Sequence, residues 1–598
     1  KRRLKKKKAQ SDVITEIKNS LQNTVRCSKD HYFQTLLPNF IKNDPDKFWH
    51  YITDKRQPVR EMKIYGDLVS DPAIIAKYFN HYFHSVFSPA QTYPLLISDP
   101  GIYDADFVSY SGVLSMLLNL KTKSSCGADQ IPNAFLRRYA EILAKFLVVI
   151  FRTSLSTGKL PSDWRMALIV PVFKKGDRSS FQNYRLISLT SQCCKIIEHI
   201  ISKQIFEFLD ENAVLTNFQH GFRKGYSTAT QLVTIIHSFA ACLDNNGQTD
   251  AIFLDFKKAF DKVPHDKLIA KLKNIHIPDI FVSWIAAYLS NRQQLVKINE
   301  EESRRLPVTS GVPQGSVLGP LLFLLYINDL VTVVDPTVQI RLFADDCVLF
   351  WEVTCTNDQN ELEKNIENVR EWCVEWGMEL NLEKSVYLCV TRKKNPSEHM
   401  YKLGSSSLTQ VDSYKYLGVT LTNNLSWNMH IDNICSSAFR KLCFLRYKLR
   451  NSPPNVKLLS YFTFVRPKLE YASIVWDPHT KQNVKKLERI QRKAIRFVYS
   501  RFLRTDSPTD LMLANNIPSL QDRRKKSRLD FLSLLYNRKL SLDPTLFLSP
   551  LNTRPTRHYQ PNALTPYFAR TDTFKFSFFP RTISDCNQTI ESSTCDTE

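Results

Sequence analysis

Short apolar runs that end in polar residues recur through the middle of the chain and predict the strands of a sheet. Residues 338–351 contain two β-type runs around Asp345-Asp346, which predicts a tight hairpin with two carboxylates at its bend. Residues 251–255 are four apolar residues followed by Asp255, which predicts a buried strand that ends on a carboxylate. Adjacent like charges are costly to bury, so we expect a cation beside Asp345 and Asp346. A solvated turn between surface strands is the alternative reading of the pair.

Two further strands are predicted upstream, each beside a basic residue. The apolar run 166–173 leads into Lys174-Lys175, and the run 183–190 carries Arg185 near its start. Cations at the ends of neighbouring strands would form a clamp for a triphosphate, with lysine as a point charge and arginine as a fork. Taken without the rest of the chain, these residues fit two unrelated surface cations better.

Residues 306–320 are rich in Gly and Pro and precede an apolar helix that is predicted to run to Asp329. Such a loop brings its backbone close to a ligand, and Ser316 is placed to cap the helix. Gly311-Val-Pro-Gln-Gly-Ser316 alone is weak evidence for a functional loop. Its position in the sequence between the two strands that carry carboxylates makes a functional role more specific.

Helical spacing of apolar residues recurs on both sides of this central region. It appears within residues 11–89 and again over residues 361–376, 431–450 and 484–498. In the last of these helices the face opposite the apolar stripe carries four cations: Arg489, Arg492, Lys493 and Arg496. Their density favours a helix that faces a polyanion over one that is merely solvated.

Composition narrows the class of partner. Lys and Arg number 81 against 58 Asp and Glu, a formal net charge of +23, which indicates a polyanionic partner such as nucleic acid, although a merely soluble basic protein is the alternative. The 13 Cys show no zinc-ligand spacing. No uncharged apolar run approaches the roughly 20 residues that span a bilayer, so we expect no membrane partner. The first residue is Lys, and we expect a longer protein.

Three motifs resemble those of reverse transcriptases from non-LTR (LINE-type, jockey-like) retrotransposons. They are Phe-Ala-Asp-Asp at 343–346, Phe-Leu-Asp-Phe-Lys-Lys-Ala-Phe-Asp at 253–261 and Gly-Val-Pro-Gln-Gly-Ser at 311–316. Their order along the chain also matches, and so do Asn381-Leu-Glu-Lys384 and Tyr416-Leu-Gly418. The resemblance covers most of the chain.

The resemblance implies a mechanism for these carboxylates. Asp255 and Asp345 would bridge two Mg²⁺ ions, with Asp346 as the neighbouring third carboxylate, and two-metal chemistry stabilises both the attacking and the leaving oxygen of phosphoryl transfer. Magnesium takes a few carboxylates together with substrate phosphates, so neither His nor Cys is needed.

The resemblance also assigns roles around the metals. Lys174 or Lys175 and Arg185 would hold the incoming triphosphate, Phe260 would exclude a ribose 2′-OH, and Gln314 would contact nucleotide and template. Lys384 would act near the leaving pyrophosphate. Nucleic-acid contacts are expected at the remaining matched positions: Gly315, Tyr416, Leu417, Gly418, Arg489, Arg492, Lys493 and Arg496.

The implied fold class is α+β, a right-hand polymerase with fingers, a palm built on an antiparallel sheet, a helical thumb and basic helical flanks. We expect a basic arm and helical region over 1–95, fingers with the start of the palm over 96–250, the palm over 251–425, the thumb over 426–505 and a basic region over 506–598. Implied partners are element RNA, a DNA primer or target and dNTPs. A nuclear location with a cytoplasmic ribonucleoprotein stage is expected, and the oligomeric state stays open.

Two departures from the resemblance keep other functions open. Leu186 stands where relatives usually have Pro, and Asp585 is followed by Cys586-Asn587 where relatives usually have Trp-Asn. A catalytically silent nucleic-acid-binding remnant is therefore one alternative. An RNA-dependent RNA polymerase is another, although it fits Phe260 poorly.

Overall fold

The protein is described by a computed structural model that covers residues 2–53, 59–89, 106–122, 126–551 and 563–595. Two compact units divide the chain. The first unit comprises residues 1–57, 232–245 and 413–598, and the second comprises residues 58–231 and 246–412. Among the helices in the described ranges, none is both long and apolar enough to cross a bilayer.

The second unit contains two five-stranded sheets and several hairpins. Its strands are β1 (Met62–Ile64), β2 (Asp67–Val69), β3 (Met166–Phe173), β4 (Tyr184–Leu189), β5 (Gln248–Asp255), β6 (Gln293–Ile298), β7 (Glu301–Glu302), β8 (Leu306–Pro307), β9 (Gln339–Phe343), β10 (Asp346–Glu352), β11 (Val386–Thr391), β12 (Lys402–Leu403), β13 (Ser406–Ser407) and β14 (Thr409–Gln410).

The first of these sheets, named here the carboxylate sheet, has the strand order β14-β11-β5-β10-β9. β5 lies at its centre and pairs antiparallel with both β10 and β11. All of β5 except its last residue is buried, which explains why residues 251–254 form a continuous apolar run and not an alternating one. The predicted antiparallel sheet and the 338–351 hairpin are confirmed.

The second sheet, named here the cation sheet, has the order β4-β3-β6-β7, and β8 also pairs with β6. Along β3, fully and partly buried side chains alternate. One face packs in a core with helix Pro72–Val86, where Ala167, Ile169 and Leu186 are buried. The opposite face of the cation sheet, which includes Leu168 and Val170, borders a cavity.

Helices surround the sheets of the second unit and share a large apolar core with the carboxylate sheet. The helices are Pro72–Val86, Tyr110–Leu118, Asn133–Arg138, Ala140–Thr157, Gln192–Glu211, Ala259–Lys262, His265–Asn274, Asp279–Leu289, Leu318–Ile327 and Thr356–Glu375. A further helix, Thr228–Asp244, begins in this unit and continues into the first. The N-cap of the apolar helix is Val317 and not the predicted Ser316, although the Ser316 hydroxyl, one residue earlier, accepts a hydrogen bond from the Gly319 N–H at 2.9 Å.

The first unit is mostly helical and has one hairpin, β15 (Ser413–Tyr416) with β16 (Val419–Thr422). Its helices are Arg2–His31, Leu37–Asn43, Pro45–Ile52, Asn428–Lys448, Pro454–Phe464, Arg466–Glu470, Ser473–Trp476, Lys481–Val498, Pro508–Ala514, Leu520–Tyr536, Asp572–Lys575 and Phe578–Cys595. The amino-terminal helices join this unit through contacts such as Trp49 with Phe464, whose rings are 5.5 Å apart.

The five predicted domain ranges stay a prediction, and the expected boundary at 95/96 lies outside the described residues. The residues at both departures from the resemblance are packed or hydrogen-bonded in the structure. Leu186 is buried in the core of the cation sheet. Near the carboxyl end, Asp585 accepts a hydrogen bond from Arg528 at 2.8 Å, and the Asn587 amide bonds the backbone of Leu564.

Candidate active site

Three carboxylates meet at one end of the carboxylate sheet. Asp255, the last residue of β5, is the direct cross-strand partner of Asp346, the first residue of β10. Directly opposed residues of an antiparallel pair project from the same face. Asp345 lies in the β9–β10 turn next to them, where the preceding Ala344 has a φ of +56°. The structure thus brings together three side chains that are up to 91 residues apart in the chain.

The electrostatics of this cluster disfavour three free negative charges. Partial burial raises the pKa of Asp345, and the nearby Asp255 adds to the increase. Burial and then the neighbouring Asp345 and Asp255 raise the pKa of Asp346 to about 6. The cluster therefore favours a cation or a proton between its members.

Lys384 supplies one such cation. Its Nζ is 3.0 Å from Oδ2 of Asp255, and both side chains are partly exposed. The turn that carries Lys384 is bound to the end of β5 by its backbone, since Asn381 N–H donates to Asp255 O at 2.7 Å and Asp255 N–H donates to Ser385 Oγ. The structure places Lys384 at the carboxylates, and its predicted role at pyrophosphate stays a prediction.

Lys174 and Arg185 approach the same cluster from the cation sheet. β3 and β4 pair with Val172 opposite Arg185, so alternation puts Lys174 on the side of Arg185 and Lys175 on the other. Desolvation and then the nearby Arg185 and Lys384 lower the pKa of Lys174, whereas Asp255 raises it. Of the two candidate lysines, Lys174 is the one whose surroundings include both Arg185 and the carboxylates.

Gln219 is a site residue that the sequence reasoning missed. Its buried Oε1 accepts the Ala344 N–H at 2.9 Å and the Gly221 N–H at 2.8 Å, and so supports the turn that presents Asp345. A Cβ at Gly221 would lie 2.3 Å from Ala344 N, so this position requires glycine. The Gln-His-Gly run at 219–221 was the available signal, but local pattern identifies it only as a loop.

Phe260 is held by ring stacking beside the loop 311–316. Its ring lies 4.3 Å from that of Phe323 at an interplanar angle of 20°. Val312 N–H donates to Phe260 O at 2.8 Å, so the loop and the ring are tied together. Gly315, with a φ of +119°, packs so closely that a Cβ would lie 2.6 Å from the Ser188 carbonyl oxygen. A backbone packing role is visible for Gly315, while its predicted nucleic-acid contact stays a prediction.

Gln314 is oriented by a buried acid. Its Nε2 donates to Oδ1 of Asp261 at 2.6 Å, and its backbone oxygen accepts the Ser188 N–H at 2.7 Å. Burial raises the pKa of Asp261 to about 6, although the Gln314 hydrogen bond opposes the increase. Asp261 was not among the predicted site residues, because an acid shortly after Lys257-Lys258 looks like a solvated helix end.

We expect Asp261→Asn to stabilise the protein, and more so at higher pH. The folded-state pKa lies above the unfolded value, so the folded state binds the extra proton between about pH 4 and pH 6 and the parent loses stability as pH rises through that window. Two pKa units correspond to about 3 kcal/mol. Thermal melts of parent and variant from pH 4 to 8 should diverge through this window. Parallel curves would contradict the expectation.

The turn predicted to contact nucleic acid through Tyr416, Leu417 and Gly418 lies in the first unit. Tyr416, Leu417 and Gly418 form the β15–β16 turn, with positive φ at Leu417 and Gly418. Tyr471 donates its hydroxyl to Leu417 O at 2.9 Å, and a Cβ at Gly418 would lie 2.8 Å from the Tyr471 ring. The turn is thus firmly held, and its contact with nucleic acid stays a prediction.

The four cations of helix Lys481–Val498 divide into two pairs. Arg489 and Arg492 are exposed. Lys493 instead lies 4.3 Å from the centroid of the Phe439 ring, and Arg496 donates to the backbone oxygens of Leu503 and Asp506. Only the first pair is presented to solvent without such internal contacts.

Replacing Arg489 and Arg492 together by Ala should weaken nucleic-acid binding and its salt dependence. Each lost phosphate contact lowers the slope of log K against log salt by about 0.7 to 0.9 units. Filter binding at several salt concentrations measures this slope. Arg496→Ala is the comparison, and it should lower the melting temperature because loop carbonyls lose their donor. An unchanged slope in the double variant would contradict the assignment.

Among the described residues, no group of three or more His, Cys, Asp or Glu side chains forms a ready-made metal site. The residues nevertheless fit magnesium, because it binds hard oxygens and completes its shell with water and substrate phosphates. Asp255, Asp345 and Asp346 supply such oxygens, and burial and mutual repulsion already raise the pKa values of the last two. They are the residues that would hold the ions.

A central antiparallel sheet with carboxylates at one end, faced by a cation clamp, defines the palm and fingers of a nucleotide polymerase. Residues 172–421 match the family described as reverse transcriptase (RNA-dependent DNA polymerase), so this part of the chain is a reverse transcriptase domain. The matched range contains every predicted catalytic and substrate-binding residue.

The relatives that this chain resembles agree with the expected element type. It is 28% identical over 510 residues to the probable RNA-directed DNA polymerase from transposon BS of Drosophila melanogaster, covering 80% of this chain and 56% of that protein. It is 27% identical over 461 residues to the RNA-directed DNA polymerase from mobile element jockey of the same species, covering 75% of this chain and 49% of that protein. The chain thus spans about half the length of these relatives.

Among solved structures, an apo telomerase from Candida tropicalis covers 50% of this chain and 62% of its own, at 14% identity and a TM-score of 0.32. A score this low adds nothing to the assignment. The resemblance to non-LTR retrotransposon reverse transcriptases is confirmed by the family match and by the named relatives.

Proposed function

We propose that this chain is the RNA-directed DNA polymerase of a non-LTR retrotransposon, which extends a DNA primer 3′-OH on element RNA. The observation that carries the proposal is the register that sets Asp255 opposite Asp346, beside the turn at Asp345. Reverse transcriptases generally use divalent metal ions. Two Mg²⁺ held by these carboxylates would stabilise the attacking and leaving oxygens.

The residues around the carboxylates support binding of a nucleoside triphosphate. Lys174, Arg185 and Lys384 all bring positive charge close to the carboxylates. Arginine pairs with phosphate through two parallel hydrogen bonds, while a lysine acts as a point charge. The Phe260 ring stacks on Phe323, and the Phe260 backbone oxygen accepts the Val312 N–H of the loop 311–316. In the proposed site this bulky ring would exclude a 2′-OH.

A cavity of about 980 Å³ on the open face of the cation sheet supports a path for the template strand. Leu168 and Val170 line it, and they share a face with Val172, whose cross-strand partner is Arg185. Its lining also includes the cations Arg165, Lys297 and Arg305 and the acids Asp163 and Glu302. Apolar side chains together with cations suit the bases and phosphates of a single strand.

The same proposal implies the partners and the cellular location of the chain. Element RNA as template, a genomic DNA end as primer and dNTPs as substrates would be its partners, and access to genomic DNA requires a nuclear stage. A cytoplasmic ribonucleoprotein stage would precede it.

The test is primer extension on poly(rA)/oligo(dT) with Mg²⁺ and labelled dTTP. The proposal predicts incorporation that needs both primer and template and that is lost when UTP replaces dTTP. Incorporation of UTP would favour an RNA polymerase. Salt-dependent RNA binding without incorporation would favour a silent remnant.

A further inference from the structure

The loop that follows helix Lys481–Val498 carries its apolar side chains on the outside. Phe502 is 55% exposed and Leu503 is 68% exposed. Arg501 and Arg504, also exposed, flank them. Two large apolar side chains turned to solvent between two arginines are unusual for a loop that only connects helices.

The loop is held in this conformation from the inside. Arg496 donates to Leu503 O at 3.4 Å and to Asp506 O at 3.1 Å. Leu503 N–H donates to Oδ2 of Asp506 at 2.9 Å, and Arg501 N–H donates to Arg496 O at 3.0 Å. The loop's polar groups thus bond each other, and its carboxylate is engaged by the Leu503 N–H. The backbone that presents Phe502 is therefore ordered before binding, which lowers the entropy cost of binding.

The end of helix Asn428–Lys448 lies next to this loop and carries a second exposed aromatic side chain. The Arg446 guanidinium is 5.7 Å from the centroid of the Phe502 ring. The following residue, Tyr447, is 83% exposed.

We propose that Arg446, Tyr447, Arg501, Phe502 and Arg504, named here the loop-501 surface, bind single-stranded RNA outside the polymerase site. Bases stack on Tyr447 and Phe502, and the three guanidiniums contact phosphates. Aromatic rings interleaved with cations are the recurring chemistry of single-strand binding, because every base has a π-face and every linkage a charge. The net charge of +23 is complementary to such a strand.

Other occupants fit this surface less well. A purely apolar partner would leave three arginines without counter-charges, which is costly in an interface. Stacking accepts RNA and DNA alike, and the choice of RNA rests on the proposed function, in which the template is RNA.

The test measures binding and needs no nucleotide incorporation. The full chain is mixed with excess unlabelled RNA–DNA duplex to fill the polymerase site, and fluorescence anisotropy then follows a labelled 12-mer of uridine. Tyr447→Ala with Phe502→Ala should raise Kd at least about tenfold. Arg501→Ala with Arg504→Ala should lower the salt slope by about 1.4 units. Phe568→Ala, at an 81% exposed ring of the same unit, is the matched control and should change neither.

Each outcome decides the matter. A tenfold loss in the aromatic double variant, with normal binding by the control, supports the loop-501 surface. The proposal is overturned when the parent and both double variants bind the 12-mer with equal affinity. It is also overturned when Phe568→Ala loses as much affinity as the aromatic double variant, or when the chain binds oligo(dT) and not oligo(U). Failure of primer extension in the parent would remove the proposed function and leave this binding result to stand.

Discussion

Asp345→Asn and Asp255→Asn should each abolish nearly all nucleotide incorporation. Replacing a carboxylate by an amide keeps its shape but removes the charge that would hold a divalent cation at the β5–β10 end of the sheet. A metal ion supplies several kcal/mol of transition-state stabilisation, and each 1.36 kcal/mol is tenfold in rate. We therefore expect losses of about 1,000-fold or more in single-turnover extension of oligo(dT) on poly(rA).

The matched control is Asp67→Asn, which makes the same chemical change at an exposed position of β2 in the same unit. It should extend primers at the parent rate. The melting temperature of Asp345→Asn should equal or exceed that of the parent because removing a like charge relieves repulsion. In Asp255→Asn the loss of the Lys384 pair offsets this gain, so its melting temperature should stay close to that of the parent. A site variant that folds normally and retains more than a tenth of the parent rate would contradict the assignment.

Phe260→Ala should relax discrimination between dNTPs and rNTPs. The ring is fixed by its stack on Phe323, so it cannot turn aside for a 2′-OH. Forcing extra atoms into a packed site costs about 1 to 3 kcal/mol, and the upper part of that range corresponds to a 30- to 150-fold preference for dNTPs. The ratio of kcat/KM for dTTP to that for UTP should fall by roughly this factor.

Phe323→Leu serves as the comparison for the gate. It removes the stacking partner but keeps the ring at 260, so discrimination should fall by less than in Phe260→Ala. An equal ratio of kcat/KM for dTTP to that for UTP in Phe260→Ala and the parent would show that Phe260 is not the gate.

The carboxylate site was largely predictable because its signal is local. The end of each strand is visible in the sequence, because the apolar run of β5 stops at Asp255 and the apolar pattern of 338–351 is interrupted at Asp345-Asp346. The order of the motifs then allowed the resemblance to be recognised. Strand pairing itself, with Asp255 opposite Asp346, requires the structure, since register depends on contacts between distant segments.

Charges were the least predictable feature, because a basic run has the same local pattern whether it faces water or a buried acid. Arg524 and Arg528, in a run that resembles a surface cluster, are buried and both bond Asp477, at 2.6 and 3.0 Å. Arg496 was predicted to contact nucleic acid, which stays a prediction, and its bonds to the carbonyl oxygens of Leu503 and Asp506 could not be read from the sequence. The β1–β2 hairpin was missed because three-residue strands are too short to show alternation.

The most direct test of the account counts metal ions at the three carboxylates. Electron paramagnetic resonance with Mn²⁺ in place of Mg²⁺ would count the ions bound to a complex of the chain with a chain-terminated primer, RNA template and matching dNTP. We expect about two tightly bound ions per chain in the parent and loss of tight binding in Asp345→Asn. Equal numbers of tightly bound ions in parent and variant would contradict this expectation.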